Sequence, residues 1–191
     1  LVLENLTGAT LSYLLDDGRQ RLGVQDLGYL GQHLCSALRY LHDCGHLHLD
    51  VKPSNIIASH GLARLIDLSL ARPPGPCPPG TGTPGYMSPE QATGGDLGPP
   101  TDVWGVGLVL YEAATGIQPF DIPNRPASAT PATSTMVRYQ TQLARSPQKL
   151  RARRRLPPDV AHLIDACLAR EPAQRPTLEL LSTALATLTS G

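Results

Sequence analysis

The sequence predicts a mainly α chain of the α+β kind, a helical body with one short β-hairpin that carries the functional loops. Three observations carry that reading. Leu27, Leu30, Leu34, Leu38 and Leu41 recur three and four residues apart, the spacing of one apolar helix face. Residues 103–110 are nearly all apolar, and a helix apolar on every side belongs in the middle of a fold. The strand signals are short by comparison: two runs, at 55–58 and 63–66, on either side of Gly61.

Composition narrows the class. At 191 residues the chain is long enough for one domain with a sizeable core, or for a large part of a bigger one. Sixteen basic and sixteen acidic residues cancel, so no polyelectrolyte partner is implied and nucleic acid is disfavoured. With one Trp and one Phe, packing rests on Leu, Val, Ile and Ala. Several of the 18 Gly and 19 Pro cluster at 73–85 and 94–100, which read as long loops. Cys35, Cys44, Cys77 and Cys167 show no paired spacing and read as free thiols in a reducing, cytoplasmic setting. No apolar stretch approaches the ~20 residues of a membrane span. The chain opens on Leu1 within an apolar run and reads as cut inside a domain.

Taken in order, residues 1–4 are strand-like and 5–8 a turn. Thr10 is placed to cap a short helix through Leu11, Leu14 and Leu15. Asp26 introduces the leucine-striped helix, and Gly45 ends it in a left-handed conformation. Between that helix and the hairpin lies His46-Leu47-His48-Leu49-Asp50-Val51-Lys52-Pro53-Ser54-Asn55. Pro53 fixes its own φ and turns Lys52 away from helix, so this is a shaped loop. A carboxylate that accepts a hydroxyl proton, an ammonium that neutralises phosphate and an amide oxygen that binds Mg²⁺ are the parts phosphoryl transfer needs.

Asp67-Leu68-Ser69 follows the hairpin, with Ile57 and Ile66 offering an apolar floor. The 73–79 stretch reads as stiff and polyproline-like. Residues 101–116 form the apolar helix, 119–135 a loop and 136–150 a helix. Arg151, Arg153, Arg154 and Arg155 make a basic run, a solvated helix end or a docking site for acidic partners. A helix with Val160, Leu163, Ile164, Cys167 and Leu168 on one face is interrupted at 171–177, and Leu178, Leu181, Leu185 and Leu188 mark the last.

Four spaced motifs resemble the large lobe of serine/threonine protein kinases, most like the bacterial members of that family. Residues 48–55 resemble the catalytic loop H-R-D-L-x-x-x-N, with Leu49 for the arginine and Val51 for the leucine. Lys52, two residues after the acid, resembles the serine/threonine branch. Asp67-Leu68-Ser69 stands in the place of D-F-G; Leu suits an apolar pocket and Ser restricts any large flip of the turn. Residues 82–90 match G-T-x-x-Y-x-x-P-E, with Ser88 for the Ala of A-P-E, and Arg175-Pro176 matches a late arginine.

The resemblance implies that residues 1–8 are the end of a small-lobe strand and the hinge, with Glu4 and Leu6 offering backbone groups to adenine. Residues 9–191 would be the large lobe, with 67–90 its activation segment. ATP and Mg²⁺ would be the cofactors, and a protein bearing Ser or Thr the substrate. Asp50 would orient the hydroxyl and accept its proton, Lys52 would steady the γ-phosphate, and Thr83 would seat the substrate. Asn55 and Asp67 would hold Mg²⁺, and Ile57 would lie under the base. Asp102 would tie the catalytic-loop backbone, and Arg175 would pair with Glu90. The glycine-rich phosphate loop, the V-A-I-K-like lysine and its partner glutamate are missing with the small lobe, so this chain alone is expected to be folded but incomplete. Two rivals stand beside it: a kinase-fold scaffold without catalysis, favoured by Leu49, Leu68 and Ser69, and a metallo-hydrolase using His46, His48 and Asp50.

Overall fold

The computed structural model describes residues 6–15, 20–120, 143 and 146–190. Helix α1 (Leu11–Leu14) starts at Thr10, whose hydroxyl accepts from the Tyr13 N–H at 3.2 Å, the cap its sequence predicts. Helix α2 (Val24–Asp43) buries Leu27, Leu30, Leu34 and Leu38 along one face, while Leu41 is half-buried. It ends at Gly45, at φ 77°. There the Gly45 N–H donates to the His42 carbonyl at 2.8 Å and the His46 N–H to the Leu41 carbonyl at 3.1 Å, a Schellman ending. The chain is thereby turned back across α2 into the 46–55 loop.

Strands β2 (Ile56–Ser59) and β3 (Leu62–Leu65) pair antiparallel with Ile56 opposite Leu65 and Ser59 opposite Leu62. The two-residue turn between them puts His60 at φ 50° and Gly61 at φ 76°, both left-handed, which matches the twist of the strands. A third strand, β1 (Ala9–Thr10), joins this hairpin through Ala9 opposite Ala58 and Thr10 opposite Ile57.

The central helix α4 (Pro99–Thr115) is buried at every residue from Thr101 to Tyr111 and stops at Gly116, at φ 77°. It packs against α2 and against α5 (Pro158–Cys167), while α6 (Leu178–Ala186) lies on α2 and α5. Leucines from α2, α4 and α6 and Val160 and Ile164 from α5 form one core with Ile56 of β2 and Val51 of the loop. A Cβ on Gly105 would stand 2.7 Å from the Val51 Cβ, so glycine here lets the loop lie directly on α4.

The chain departs from its sequence reading in two places. The Pro- and Gly-rich stretches read as long loops pair with each other, β4 (Gly75–Cys77) against β5 (Gly95–Leu97). Proline's fixed φ suits an extended edge strand, and Pro76, opposite Asp96, lacks only a donor that an edge does not need. The helix read over 136–150 does not reach its C-terminal end: residues 146–149 carry none, and Leu150–Ala152 is a 3-10 turn. Pro147 breaks the hydrogen-bond ladder there. Residues 1–5 and 121–142, including Glu4 and most of the 119–135 loop, lie outside the described residues. Among the described residues no helix is long and apolar enough to cross a membrane.

Candidate active site

A buried carboxylate at the start of α4 builds the site. Asp102 is 1% exposed; its Oδ1 accepts from the Leu49 N–H and its Oδ2 from the His48 N–H, each at 2.8 Å. The His42 ring, from the last turn of α2, completes it at 2.8 Å through Nε2. This is the tie that the resemblance implied for Asp102, with His42 added. Leu49 takes φ 65°, a conformation that a non-glycine residue holds only when its surroundings impose it. Its side chain is buried with Leu47, Cys77 and Leu97, an apolar cluster where the resembling family places an arginine.

His48 is fully buried. Its Nδ1 accepts from the Asp50 N–H at 3.3 Å, so the Nε2 that faces the Ile66 carbonyl at 3.1 Å carries the proton. His46 is exposed, with Nδ1 on the Cys44 carbonyl at 2.9 Å. His46, His48 and Asp50 therefore do not converge, because the left-handed Leu49 breaks the extended run that a shared face requires. Among the described residues no three His, Cys, Asp or Glu side chains are grouped to hold a metal ion.

Asp50, 6% exposed, accepts from the Thr83 hydroxyl at Oδ1, 2.6 Å away. Its Oδ2 accepts from Lys52 Nζ at 2.6 Å and from Asn55 Nδ2 at 3.0 Å. Lys52 Nζ also donates to the Thr83 hydroxyl at 2.6 Å, closing a triangle of carboxylate, ammonium and hydroxyl. Lys52 is extended and precedes the 3-10 turn Pro53–Asn55, which swings Asn55 back towards Asp50. Asn55 Nδ2 donates to the Asp50 carbonyl as well, at 3.0 Å, so both amide hydrogens are used and the Oδ1 keeps its acceptor capacity.

Asp67 is exposed at φ 67°. Hydrogen bonds from Ser69, the backbone N–H at 3.1 Å among them, hold its carboxyl below the usual carboxylate range, with the charge of Lys52 adding to them. The Ile66 N–H donates to the Asn55 carbonyl at 2.9 Å and sets the Asp67 turn beside Asn55. A carboxylate and an amide oxygen on adjacent turns are the hard oxygen donors that Mg²⁺ takes. Leu68 does not fill the apolar pocket expected of it: it is 58% exposed.

The structure thus brings together Asp50, Lys52, Asn55 and Thr83, and it sets Asp67 at their edge. Leu6 stands elsewhere, on a wall shared with His33, Ser36 and β3, while Ile57 is half-buried on β2 opposite Thr10. Glu90 and Arg175 meet as expected, Oε1 to Nη1 at 2.6 Å and Oε2 to Nη2 at 2.8 Å. Sequence reasoning missed His42 and Gln91. A lone His at a helix end carries no signal, but Ser88-x-x-Gln91 is the pattern of a capping box, and α3 (Pro89–Thr93) carries that box.

The protein kinase domain family model matches residues 1–185. Mitogen-activated protein kinase kinase 3 of Arabidopsis thaliana is 29% identical over 191 residues, 95% of this chain and 34% of that protein. The probable serine/threonine-protein kinase PkwA of Thermomonospora curvata is 34% identical over 170 residues, 85% of this chain and 21% of its own. Serine/threonine-protein kinase pkn3 of Myxococcus xanthus is 33% identical over 159 residues, 74% and 27% respectively. The chain spans about a fifth to a third of the length of these three relatives.

Proposed function

The chain belongs to the protein kinase domain family, and on that premise we propose that it carries the catalytic lobe of a serine/threonine kinase, transferring the γ-phosphoryl of ATP to protein hydroxyls. The observation that supports this most is the Asp50–Thr83–Lys52 triangle: a threonine hydroxyl donates to a carboxylate and accepts from an ammonium, both at 2.6 Å. A substrate hydroxyl needs the same two partners. Asp50 orients it and takes its proton, while Lys52 balances negative charge on the transferring group. Thr83 holds the two side chains at one spacing and seats the substrate beside them.

Asn55 Oδ1 and the Asp67 carboxylate are the groups that would hold Mg²⁺, which when bound neutralises phosphate charge. Asn55 also donates to Asp50 Oδ2, which keeps that oxygen engaged and leaves Oδ1 as the proton acceptor. Glu4, Leu6 and Ile57 are assigned to the adenine side, and residues 1–8 to the hinge. A glycine-rich cover and a lysine from a small lobe complete the enzyme in this reading. Without them the triphosphate faces water, where each charge contact is weak. The retained Asp50, Lys52, Asn55 and Asp67 favour a catalyst over a scaffold.

The test is labelled phosphate transfer from Mg-ATP to a protein rich in Ser and Thr, with Asp50→Asn as the blank. Residues 1–191 alone are expected to bind Mg-ATP weakly and to transfer nothing above that blank. A form that includes a small lobe is expected to transfer. Failure of the longer form, with nucleotide bound, would turn the reading towards a scaffold.

A further inference from the structure

Gln91, in α3, is 3% exposed and its carboxamide is fully engaged. Oε1 accepts from the Ser88 N–H at 3.0 Å, while Nε2 donates to the Leu49 carbonyl and to the Thr81 carbonyl, each at 2.8 Å. Two carbonyl oxygens on one side and an N–H on the other admit one orientation of the amide. The backbone carbonyl of Gln91 also accepts from the Gly80 N–H at 2.8 Å. One residue therefore joins the loop before Asp50 to the stretch before Thr83.

The Leu49 carbonyl and the Asp50 N–H belong to the same rigid peptide plane. Gln91 holds the carbonyl edge of that plane, and His48 Nδ1 accepts from its N–H edge at 3.3 Å. One plane earlier, the Leu49 N–H is held by Asp102. Leu49, at φ 65°, is thus gripped on both of its backbone polar groups by buried side chains from two different helices. Gly82 leaves room for the amide: at φ 137°, a Cβ there would stand 2.9 Å from Gln91 Nε2 and 2.8 Å from Met87 Cγ.

We propose that Gln91 is a positioning residue for Asp50: its carboxamide pins the Leu49–Asp50 peptide plane and couples it to the 80–83 stretch that presents Thr83. The catalytic meaning of this clamp rests on the phosphotransfer reading above; the clamp itself does not. The bland alternative is that Gln91 only completes the cap of α3. The two roles use different atoms, Nε2 for the clamp and Oε1 for the cap. Ser88→Ala weakens the cap and spares the clamp, whereas Gln91→Met removes both.

Amide hydrogen exchange in ¹⁵N-labelled residues 1–191 separates them. Gln91→Met is expected to speed exchange at Asp50 by about tenfold beyond any change at Val106 and Ile164, which sit inside α4 and α5 and report global opening. Gly82→Ala, which crowds the amide, is expected to give the same local signature and carries the comparison if Gln91→Met does not fold. Ser88→Ala is expected to leave Asp50 protected. Uniform acceleration across the chain, an unchanged Asp50, or the same signature from Ser88→Ala would each overturn the positioning role. In a longer form that transfers phosphate, Gln91→Met is expected to lower kcat about tenfold while holding KM for ATP. A loss confined to that KM would also overturn it. Absence of transfer in every form overturns the phosphotransfer reading and leaves the exchange result standing.

Discussion

The Asp50–Lys52 pair and the Glu90–Arg175 pair join the same charge types at the same shortest distance, 2.6 Å, yet the two are saturated to different degrees. Arg175 has five N–H groups, and all are used: on both Glu90 oxygens and on the carbonyls of Pro100, Ala169 and Arg170. Its side chain is 0% exposed, and its guanidinium lies 5.1 Å from the Trp104 ring centre. Lys52 is 18% exposed on its side chain and donates to Asp50 and Thr83, which leaves one of its three hydrogens for another acceptor. A saturated pair can only hold the fold, whereas a pair with spare capacity at a solvent edge can bind and react. Loss of stability and loss of rate are therefore expected to be separable by mutation.

The largest expected effect is on rate. In a form that transfers phosphate, Asp50→Asn should lower turnover by ~10²–10⁴, the usual worth of a positioned general base. Nucleotide affinity and the urea midpoint should hardly move, and near-normal turnover would remove Asp50 from the mechanism.

Arg175→Ala should do the opposite. It leaves the largely covered Glu90 charge, 12% exposed on its side chain, without its partner, at a cost on the order of 3–5 kcal/mol, seen as a sharp fall in the urea midpoint. The double change with Glu90→Ala should cost less than the sum of the two single changes. Fully additive losses would mean that the pair is not one unit.

Acid should separate the pairs more gently. Burial disfavours the Glu90 charge, but the hydrogen bonds and charge of Arg175 outweigh it and hold the carboxyl below its ordinary 4.5. A depressed folded value means that the stabilisation is full above pH 4.5 and is lost as pH falls through the folded value. Thermal melts of Glu90→Gln from pH 6 to pH 2.5 should therefore show a flatter acid limb than wild type. An unchanged limb would place the titration elsewhere.

The smallest effect is expected at Thr81. Leu49 carries no charge for a loop phosphate to neutralise, and the 75–77 stretch is already held by β4–β5 pairing and the Leu47, Leu49, Cys77 and Leu97 cluster. Thr81→Ala should leave most transfer activity, whereas Thr83→Ala should not. Strong loss at Thr81, restored by Thr81→Asp, would reveal a phosphorylation switch.

Much of this is legible in the sequence. Helix faces follow from leucine spacing, the Thr10 cap and the Gly45 ending from local backbone chemistry, and the spacing of Asp50, Lys52 and Asn55 from one short loop. β4–β5 was not legible, because a Pro-rich strand carries no alternation of apolar residues and gains its partner some 20 residues away in sequence. The fate of Leu68 was equally hidden, since whether a leucine finds a pocket depends on what other segments bring over it.

Sequence by itself determined which groups are available: an acid, an ammonium, an amide and a hydroxyl at set intervals, on a chain whose apolar periodicity makes a helical body. Tertiary structure alone decided how they are held. Asp102 and Gln91 come from two separate helices to grip the loop at the left-handed Leu49, and His42 of a third helix braces Asp102; of the three, the sequence reading assigned only Asp102 to the loop. The physical reason is range. Caps, turns and helix faces are set by contacts within a few residues, whereas a buried hydrogen-bond network takes effect only once the core has brought distant segments within about 3 Å of each other.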